Sequence, residues 1–259
     1  MSKIKNAFAG GKAFIAFLTA GDPSAEKTAD YILAMEEAGA DLIEIGIPFS
    51  DPTAEGPVIQ EANIRALSKG MTTDGVFGIV EEVRRKSQIP LVFLTYLNPV
   101  FHYGYEAFFE KCEELGVDGI IIPDLPYEEK GDLAEIAKTH GVDVISMIAP
   151  TSRQRIQMIA KEAKGFLYIV SSMGVTGVRN NIETDIPAIV SSIREVTDIP
   201  AAVGFGISTP DQAETMAAAS DGAIVGSAIV KLIEKHKDHA EEALREYVKT
   251  MKAAVKSAE

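Results

Sequence analysis

The stretch Asp41-Leu-Ile-Glu-Ile-Gly-Ile47 places one carboxylate, that of Glu44, in the middle of an apolar run, and Pro48-Phe-Ser-Asp-Pro-Thr-Ala-Glu-Gly-Pro57 follows it directly. Successive residues of a strand face opposite sides, so Glu44 shares a face with the residues two positions away from it. In a strand that is apolar on both sides, this face lies in a dry interior, where burial raises the pKa of a carboxyl group. We expect Glu44 to donate a proton near neutral pH, with Glu55 closing over the same cavity.

The chain is acidic and has enough apolar residues to form a full core. It has 259 residues, of which 46% are apolar, and 38 acidic against 25 basic side chains give a formal net charge of −13. Nucleic acids and anionic membrane surfaces bind cationic patches, so this charge argues against both as partners. An acidic protein holds a phosphate ester more readily with backbone N–H groups than with a cluster of lysines.

Cysteine and histidine usage argues against a disulfide and against a metal site. Cys112 is the only cysteine, so no disulfide can form within the chain and we expect a reducing compartment. Phe108 and Leu115 lie at helical spacing from it, which indicates a core thiol and not a nucleophile. The four histidines show no metal-ligand spacing. Without a signal segment or an apolar run near the ~18–20 residues of a membrane span, the sequence predicts a soluble cytoplasmic protein.

Apolar segments of strand length alternate with amphipathic segments of helix length along the whole chain. Eight strands that alternate with helices in about 250 residues match a (β/α)8 TIM barrel. No Ser/Gly-rich or charge-rich linker divides the chain, so we predict a single α/β barrel domain over residues 1–259, with an extra N-terminal helix and an extended C-terminal helix. A doubly wound open sheet is the competing architecture, but its usual early glycine fingerprint is missing. The predicted strands are Ala13–Thr19, Leu42–Ile47, Leu91–Tyr96, Gly119–Ile122, Val142–Ile148, Phe166–Val170, Ala201–Gly204 and Gly222–Val225.

The chemistry of a barrel lies where its strands end and the following loops begin. The last two predicted strands end in Gly204-Phe-Gly206 and Gly226-Ser227. Glycines allow the backbone to approach a ligand closely, and the N–H groups at a helix start attract anions. Barrels often hold a phosphate beside these two strands. The pattern favours a phosphate site here, with ordinary turn glycines as the alternative.

Each carboxylate at the strand ends also has a structural alternative. For Glu44 it is an ion pair with a lysine outside the barrel. For Glu55 it is a solvated charge on a loop, which is the more common position of a glutamate. Asp124 lies between two prolines, where it is able to cap or pin a turn. The pattern alone does not decide between these alternatives and a functional site.

The aromatic residues near the strand ends are open to two interpretations as well. Tyr96 and Tyr168 either line a pocket or lie in the core with their hydroxyl groups satisfied. Phe17 and Phe205 either belong to the plain core or form the walls of a site for a flat ring. The choice depends on the ligand.

Several blocks of residues together identify a family that the chain resembles. They occur in the same order as in that family and extend from the first strand to the last helix region. The run Pro-Phe-Ser-Asp-Pro after a strand glutamate, combined with a later Gly-Val-Thr-Gly loop, is highly specific. On these blocks the chain resembles the tryptophan synthase alpha subunits. The matching blocks are Phe17-Leu-Thr-Ala-Gly-Asp-Pro23, Glu44-Ile-Gly-Ile-Pro-Phe-Ser-Asp-Pro52, Gly174-Val-Thr-Gly177, Gly204-Phe-Gly-Ile-Ser208 and Gly226-Ser-Ala-Ile-Val230.

The resemblance implies a lyase of tryptophan biosynthesis that cleaves indole-3-glycerol phosphate to indole and glyceraldehyde 3-phosphate in a retro-aldol reaction. By matching position, Glu44 is the general acid–base, which protonates the ring carbon bearing the side chain and helps to take the glycerol hydroxyl proton. The family usually has Asp in the block that reads Ala54-Glu55-Gly-Pro57 here, and the carboxylate of that Asp interacts with the indole N–H. Glu55 keeps the charge but adds a methylene group, so we expect a compensating loop backbone.

The resemblance also implies which residues bind the substrate. Seven positions match the indole and glycerol pocket or its closing loop, namely Phe17, Leu94, Tyr96, Asp124, Ile148, Tyr168 and Thr176. Phe205 is expected as a further wall for the ring. The positions that match the phosphate site are Gly177, Gly206, Gly226 and Ser227.

The family further implies a partner. Its alpha subunits pass indole through a tunnel to a beta subunit that holds pyridoxal phosphate, in an allosteric αββα heterotetramer, and the alpha chain itself needs no metal, flavin or other cofactor. One rival is another phosphate-binding barrel such as an indole-3-glycerol-phosphate synthase, which uses lysines at strand ends, and the second to fourth strands here end without one. A rival of another class is a non-catalytic barrel subunit that binds ligand and activates a beta partner, which only the change to Glu55 favours.

Overall fold

The computed structural model of the chain describes residues 2–171, 185–204 and 206–258. Nine parallel strands form one nearly closed barrel, in the order β5-β4-β3-β2-β1-β9-β8-β7-β6. The strands are β1 (Ala13–Thr19), β2 (Leu42–Gly46), β3 (Leu91–Leu94), β4 (Gly119–Ile121), β5 (Asp143–Val144), β6 (Ser146–Ile148), β7 (Leu167–Val170), β8 (Ala201–Gly204) and β9 (Gly222–Val225). The predicted barrel is confirmed, and the open doubly wound sheet is not formed.

Helices surround the barrel. A short extra helix precedes the first strand, and the chain's last helix is 17 residues long. The helices are α1 (Ile4–Ala7), α2 (Ala25–Glu37), α3 (Pro57–Ser68), α4 (Thr73–Arg84), α5 (Leu97–Tyr103), α6 (Tyr105–Leu115), α7 (Gly131–Thr139), α8 (Arg153–Lys161), α9 (Ile186–Arg194), α10 (Pro210–Ala218), α11 (Ser227–His236) and α12 (Glu241–Ser257). None of the helices described is both long and apolar enough to cross a membrane.

Alternation along the strands divides the apolar core into two layers. The inner layer fills the barrel and includes Leu42 of β2, Val92 of β3 and Ile224 of β9. The outer layer lies between the strands and the helices and includes Ile43 and Ile45 of β2. Because neighbouring strand residues face opposite sides, the residue between these two isoleucines faces the barrel interior.

The fifth predicted strand is divided into two short strands, and the barrel has its seam there. β5 pairs with β4, whereas β6 pairs with β7. Between them the N–H of Ile145 donates to the carbonyl oxygen of Ile120 at 2.8 Å, which is the last bond toward the β4 side. The chain therefore changes its bonding partner within one stretch of residues, while the alternation continues and places Ile145 and Met147 on the inward face.

Aspartates fix the start of several strands at the end of the barrel opposite the cavity described below. Oδ2 of Asp41 accepts a hydrogen bond from the N–H of Phe14 at 2.7 Å, and Oδ2 of Asp221 accepts one from the N–H of Ala201 at 2.7 Å. Asp118 binds the first N–H of β3 in the same way. Each of these carboxylates also pairs with a lysine or arginine, which compensates for its partial burial.

Candidate active site

Glu44 lies inside the barrel with 1% of its surface exposed. It is part of β2, where it pairs with Phe17 of β1 on one side and with Val92 of β3 on the other. Its Oε1 has no hydrogen-bond partner among the described residues, and no cation in that part of the chain pairs with the side chain. Desolvation alone raises the pKa of Glu44 to about 8. The arrangement contradicts the alternative of a structural ion pair, because an ion pair would stabilise the charged form.

Glu55 is buried too, with 7% of its surface exposed, although it belongs to the loop between β2 and α3. The side-chain amide of Asn63 donates to its Oε2 at 2.8 Å, and the amide of Gln60 donates to its backbone oxygen at 2.8 Å. Burial raises the pKa of Glu55 to about 7, and the bond from Asn63 opposes that rise. Glu55 is therefore not the solvated loop charge of the alternative interpretation, since α3 holds it in place.

Both carboxylates face one cavity at the carboxyl ends of the strands. Its lining is mostly apolar with a few polar groups, which is typical of sites for small organic ligands. No lysine, arginine or histidine is found among the described residues that line it. The lining residues are Phe17, Glu44, Ala54, Glu55, Ile59, Leu94, Tyr96, Pro123, Met147, Tyr168, Gly206, Ile207, Ile224, Gly226 and Ser227.

Two aromatic rings of the cavity lie against glycines on neighbouring strands. A methyl group at Gly46 would approach the ring of Phe17 to 2.7 Å, and one at Gly226 would approach it to 3.2 Å. A methyl group at Gly204 would collide with the hydroxyl end of Tyr168. The glycines thus provide the space for the two rings, and the rings form apolar walls suited to a flat ligand.

Tyr96 connects the cavity with the loop after β2. Its hydroxyl accepts a hydrogen bond from the N–H of Ala54 at 3.0 Å, and its ring centroid lies 5.5 Å from that of Phe49. Burial and the nearby carboxylate of Glu55 raise the pKa of Tyr96, so the hydroxyl stays neutral. This contact holds the segment that carries Glu55 close to β3.

The N-terminus of α11 meets the same cavity. Gly226 precedes the helix and Ser227 is its first residue, and both line the cavity. Gly206 lines it from the loop after β8 and has a φ of +79°, a conformation that favours glycine. The unpaired N–H groups at a helix start attract anions, so this corner is suited to a phosphate group without any basic side chain.

Two residues expected in the site lie elsewhere. Asp124 is exposed, and its Oδ1 accepts a hydrogen bond from the N–H of Leu97 at 2.9 Å, so it caps the start of α5 as the turn alternative supposed. Ile148 is fully buried but belongs to the outer layer between strands and helices. Met147 takes the inward position, because the alternation of inward and outward residues continues unbroken from Ile145, two positions earlier.

Three further expected residues, Thr176, Gly177 and Phe205, lie outside the described residues. The cavity also contains residues that sequence reasoning did not select. Ile59 belongs to α3, a helix that was not among the predicted segments, and Ala54 directly precedes Glu55. The other residues not selected are Pro123, Met147, Ile207 and Ile224. Inward alternation within β6 and β9 was the signal that could have found Met147 and Ile224.

Among the described residues, no group of three or more His, Cys, Asp or Glu side chains is placed to hold a metal ion. Cys112 is fully buried in the outer layer, and burial raises the pKa of its thiol, so it is a core residue as its helical spacing predicted.

Comparison with known proteins identifies relatives along nearly the whole chain. Residues 4–258 match the family model for the tryptophan synthase alpha chain. The tryptophan synthase alpha chain of Lacticaseibacillus casei is 49% identical over 255 residues, which are 98% of this chain and 96% of the relative. The crystal structure of the alpha subunit from Legionella pneumophila is 33% identical with a TM-score of 0.88 and covers 99% of both chains. A structure of the Pyrococcus furiosus tryptophan synthase a2b2 complex is 36% identical with a TM-score of 0.86, and covers 94% of this chain and 99% of that one.

Proposed function

The chain belongs to the tryptophan synthase alpha chain family, and from that membership and the site geometry we infer that it is the lyase that cleaves indole-3-glycerol phosphate to indole and glyceraldehyde 3-phosphate. The observation that carries this function is the position of Glu44. A carboxyl group in an apolar cavity, with a pKa raised to about 8, is largely protonated at neutral pH and is able to donate its proton to carbon.

Retro-aldol cleavage requires the indole ring to accept the electron pair of the bond that breaks. Protonation of the ring carbon that carries the glycerol chain, with loss or stabilisation of the N–H proton, gives an indolenine. The hydroxyl group of the adjacent glycerol carbon then loses its proton, the C–C bond breaks, and its electron pair returns to the ring. The glycerol carbon becomes the aldehyde. We assign the carbon protonation and the hydroxyl proton to Glu44, with each acid–base step contributing roughly 10²–10⁴ in rate.

Glu55 takes the second role, at the indole N–H. Its pKa of about 7 lies below that of Glu44, so at neutral pH it carries more negative charge than Glu44 does. Two carboxyl groups with different environments are able to divide proton donation and charge stabilisation between them. Asn63 donates to only one oxygen of Glu55, which leaves the other oxygen for the ring nitrogen.

The remaining pocket residues bind the substrate by shape. The rings of Phe17 and Tyr168 form the walls for the indole, with Leu94 and Tyr96 beside them. The phosphate group is assigned to the backbone N–H groups near Gly206, Gly226 and Ser227, and to Gly177 by resemblance. Thr176 is assigned by resemblance to the pocket or its closing loop, and Phe205 is proposed as a further wall for the ring. This assignment agrees with a cavity that has no cation among its described lining residues, because helix N-termini and glycine loops bind phosphate without one.

The assembly follows from the family. We propose a beta-subunit partner in an αββα heterotetramer, as in the Pyrococcus furiosus a2b2 complex. The pyridoxal phosphate belongs to that partner, and this chain acts without a cofactor of its own. Residues 1–259 act as one barrel domain in the cytoplasm.

Indole release from indole-3-glycerol phosphate tests the function directly. The chain has no tryptophan, so the fluorescence of released indole is not obscured by the protein. We expect slow release by the purified chain and a large increase when a matching beta subunit is added. A chain that releases no indole in either condition but activates the beta subunit would be a non-catalytic binding subunit, and the lyase assignment would be wrong.

A further inference from the structure

Tyr247, on the C-terminal helix α12, contacts a loop of the cavity that lies far from it in sequence. Its hydroxyl group donates a hydrogen bond to the backbone carbonyl oxygen of Ser208 at 2.9 Å. The residue is partly buried, and burial raises the pKa of its hydroxyl, which stays protonated and able to donate. Burying a tyrosine hydroxyl group without a hydrogen-bond partner costs free energy, and the bond to Ser208 avoids that cost.

The same loop is held from its other side by Gln212 of α10. The side-chain oxygen of Gln212 accepts hydrogen bonds from the N–H of Ser208 at 2.9 Å, from its hydroxyl at 3.2 Å and from the N–H of Thr209 at 3.2 Å. The Thr209 hydroxyl in turn caps the N–H of Gln212. The backbone at Ser208 is therefore fixed at its N–H by α10 and at its carbonyl by α12.

This fixed point is adjacent in sequence to the cavity lining. Gly206 and Ile207 line the cavity directly before Ser208. Gly206 has a φ of +79°, and glycine restricts its own backbone less than any other residue. The orientation of the N–H groups at Gly206 and Ile207 consequently depends on how firmly the following residue is held. N–H groups bind an anion well only when they are already oriented toward it.

We propose that Tyr247 is a positioning residue for the phosphate corner of the site: through the carbonyl of Ser208, the C-terminal helix holds the loop after β8 in the conformation that binds the phosphate group of the substrate. The inference rests on the proposed function, which assigns phosphate to this corner. It adds that the affinity for phosphate, and not the chemistry at Glu44, depends on how α12 is docked. α12 is suited to this because it packs against α10, α2 and β1.

The test compares Tyr247→Phe with Tyr31→Phe, using three measurements on each. Both variants remove a tyrosine hydroxyl that docks the C-terminal region, because the hydroxyl of Tyr31 donates to the carbonyl oxygen of Lys237 and accepts from the N–H of Ala240. Only Tyr247 bonds to the cavity loop. The measurements are KM and kcat for indole-3-glycerol phosphate, the Kd of inorganic phosphate from competition, and the Kd of indole from its fluorescence.

For Tyr247→Phe we expect KM and the Kd of phosphate to rise about 2- to 10-fold, the effect of one hydrogen bond, while kcat and the Kd of indole stay within roughly 2-fold. Tyr31→Phe should lower the melting temperature without changing the binding of phosphate. If Tyr247→Phe also lowers only the melting temperature, Tyr247 is a structural residue and the inference is wrong. If the wild-type chain neither turns over the substrate nor binds phosphate, the proposed function fails instead.

A measurement on the wild-type protein completes the test without any substitution. Coupling between two sites is reciprocal, so phosphate that binds more tightly when α12 is docked must also favour the docked helix. Saturating inorganic phosphate should therefore slow hydrogen exchange of the backbone amides within Glu241–Ser257. Exchange rates that are the same with and without phosphate would overturn the inference.

Discussion

The side-chain amide of Asn63 donates a 2.8 Å hydrogen bond to Oε2 of Glu55, so the first turns of α3 fix the direction of this carboxylate. Both residues are buried. The bond explains how a glutamate, one methylene longer than the aspartate that the family resemblance implies at this position, is held in place. We therefore expect the site to be built around the longer side chain.

Shortening this side chain should misplace the carboxylate. We predict that Glu55→Asp lowers kcat/KM about 10-fold or more, because a carboxylate drawn back by one methylene loses either Asn63 or the ring nitrogen, and small displacements of catalytic groups are costly. Steady-state kinetics measure the effect. Glu61→Asp, an exposed position on the same helix, is the matched control and should leave the rate unchanged. An unchanged or increased rate for Glu55→Asp would show that the length of residue 55 is not tuned.

The two raised pKa values predict a narrow pH optimum. In the proposed mechanism, activity requires Glu55 charged and Glu44 protonated, and burial raises the pKa of Glu55 to about 7 and that of Glu44 to about 8. We expect kcat/KM to fall below about pH 7 and above about pH 8, with apparent values that belong to the pair. A profile of kcat/KM from pH 5 to 10 measures this. Activity that continues to rise through pH 9 would rule out a protonated Glu44 as the donor.

The buried carboxyl group of Glu44 should also make the stability of the protein depend on pH. Its pKa is raised from 4.5 to about 8 on folding, so the folded state holds a proton that the unfolded state releases between these values. The wild-type protein therefore loses stability as pH rises through this window. Glu44→Gln keeps a neutral side chain and should be more stable than the wild type at pH 9 by on the order of 5 kcal/mol, with nearly equal stability at pH 4.

Urea denaturation at several pH values measures that difference, with the exposed Glu214→Gln on α10 as the control that should show no such slope. Equal stability of Glu44→Gln and the wild type at all pH values would mean that Glu44 is charged in the folded protein.

Two glycine substitutions should change the stability in opposite directions, because Tyr168 packs over Gly204 whereas Gly78 faces open space. Gly204→Ala places a methyl group against the buried tyrosine ring, so we expect a loss of about 1–3 kcal/mol in the free energy of unfolding and lower activity. Gly78 is an exposed residue of α4, and a methyl group there would meet no atom within 4 Å. Gly78→Ala should therefore raise the free energy of unfolding by about 0.5–1 kcal/mol, since alanine favours a helix. Thermal denaturation and indole release measure both. A neutral Gly204→Ala would mean that the ring is free to move aside.

The sequence predicted the barrel well wherever strands are continuous apolar runs. The bounds of Ala13–Thr19, Ala201–Gly204 and Gly222–Val225 agree with the structure. The alternation around Glu44 also predicted its inward face, because a strand buried on both sides leaves only the register to decide which residues face the interior.

Other parts of the site depend on long-range geometry that the pattern does not contain. Ile148 was expected in the pocket from its matching position in the family, whereas the alternation through Ile145 places Met147 inward. The helix that starts at Pro57 was not recognised, so Asn63 was not seen as the partner of Glu55. Partners that belong to other elements become visible only after the elements have packed.

Single-turnover release of indole by the wild type, Glu44→Gln and the control Glu214→Gln, each with and without a beta subunit, tests the role of Glu44 most directly. We predict that Glu44→Gln binds indole-3-glycerol phosphate with an affinity close to that of the wild type but releases no measurable indole, because an amide at this position has no acidic proton to transfer to carbon. Glu214→Gln should release indole at the wild-type rate. Near-normal release by Glu44→Gln would contradict the assignment of Glu44 as the proton donor.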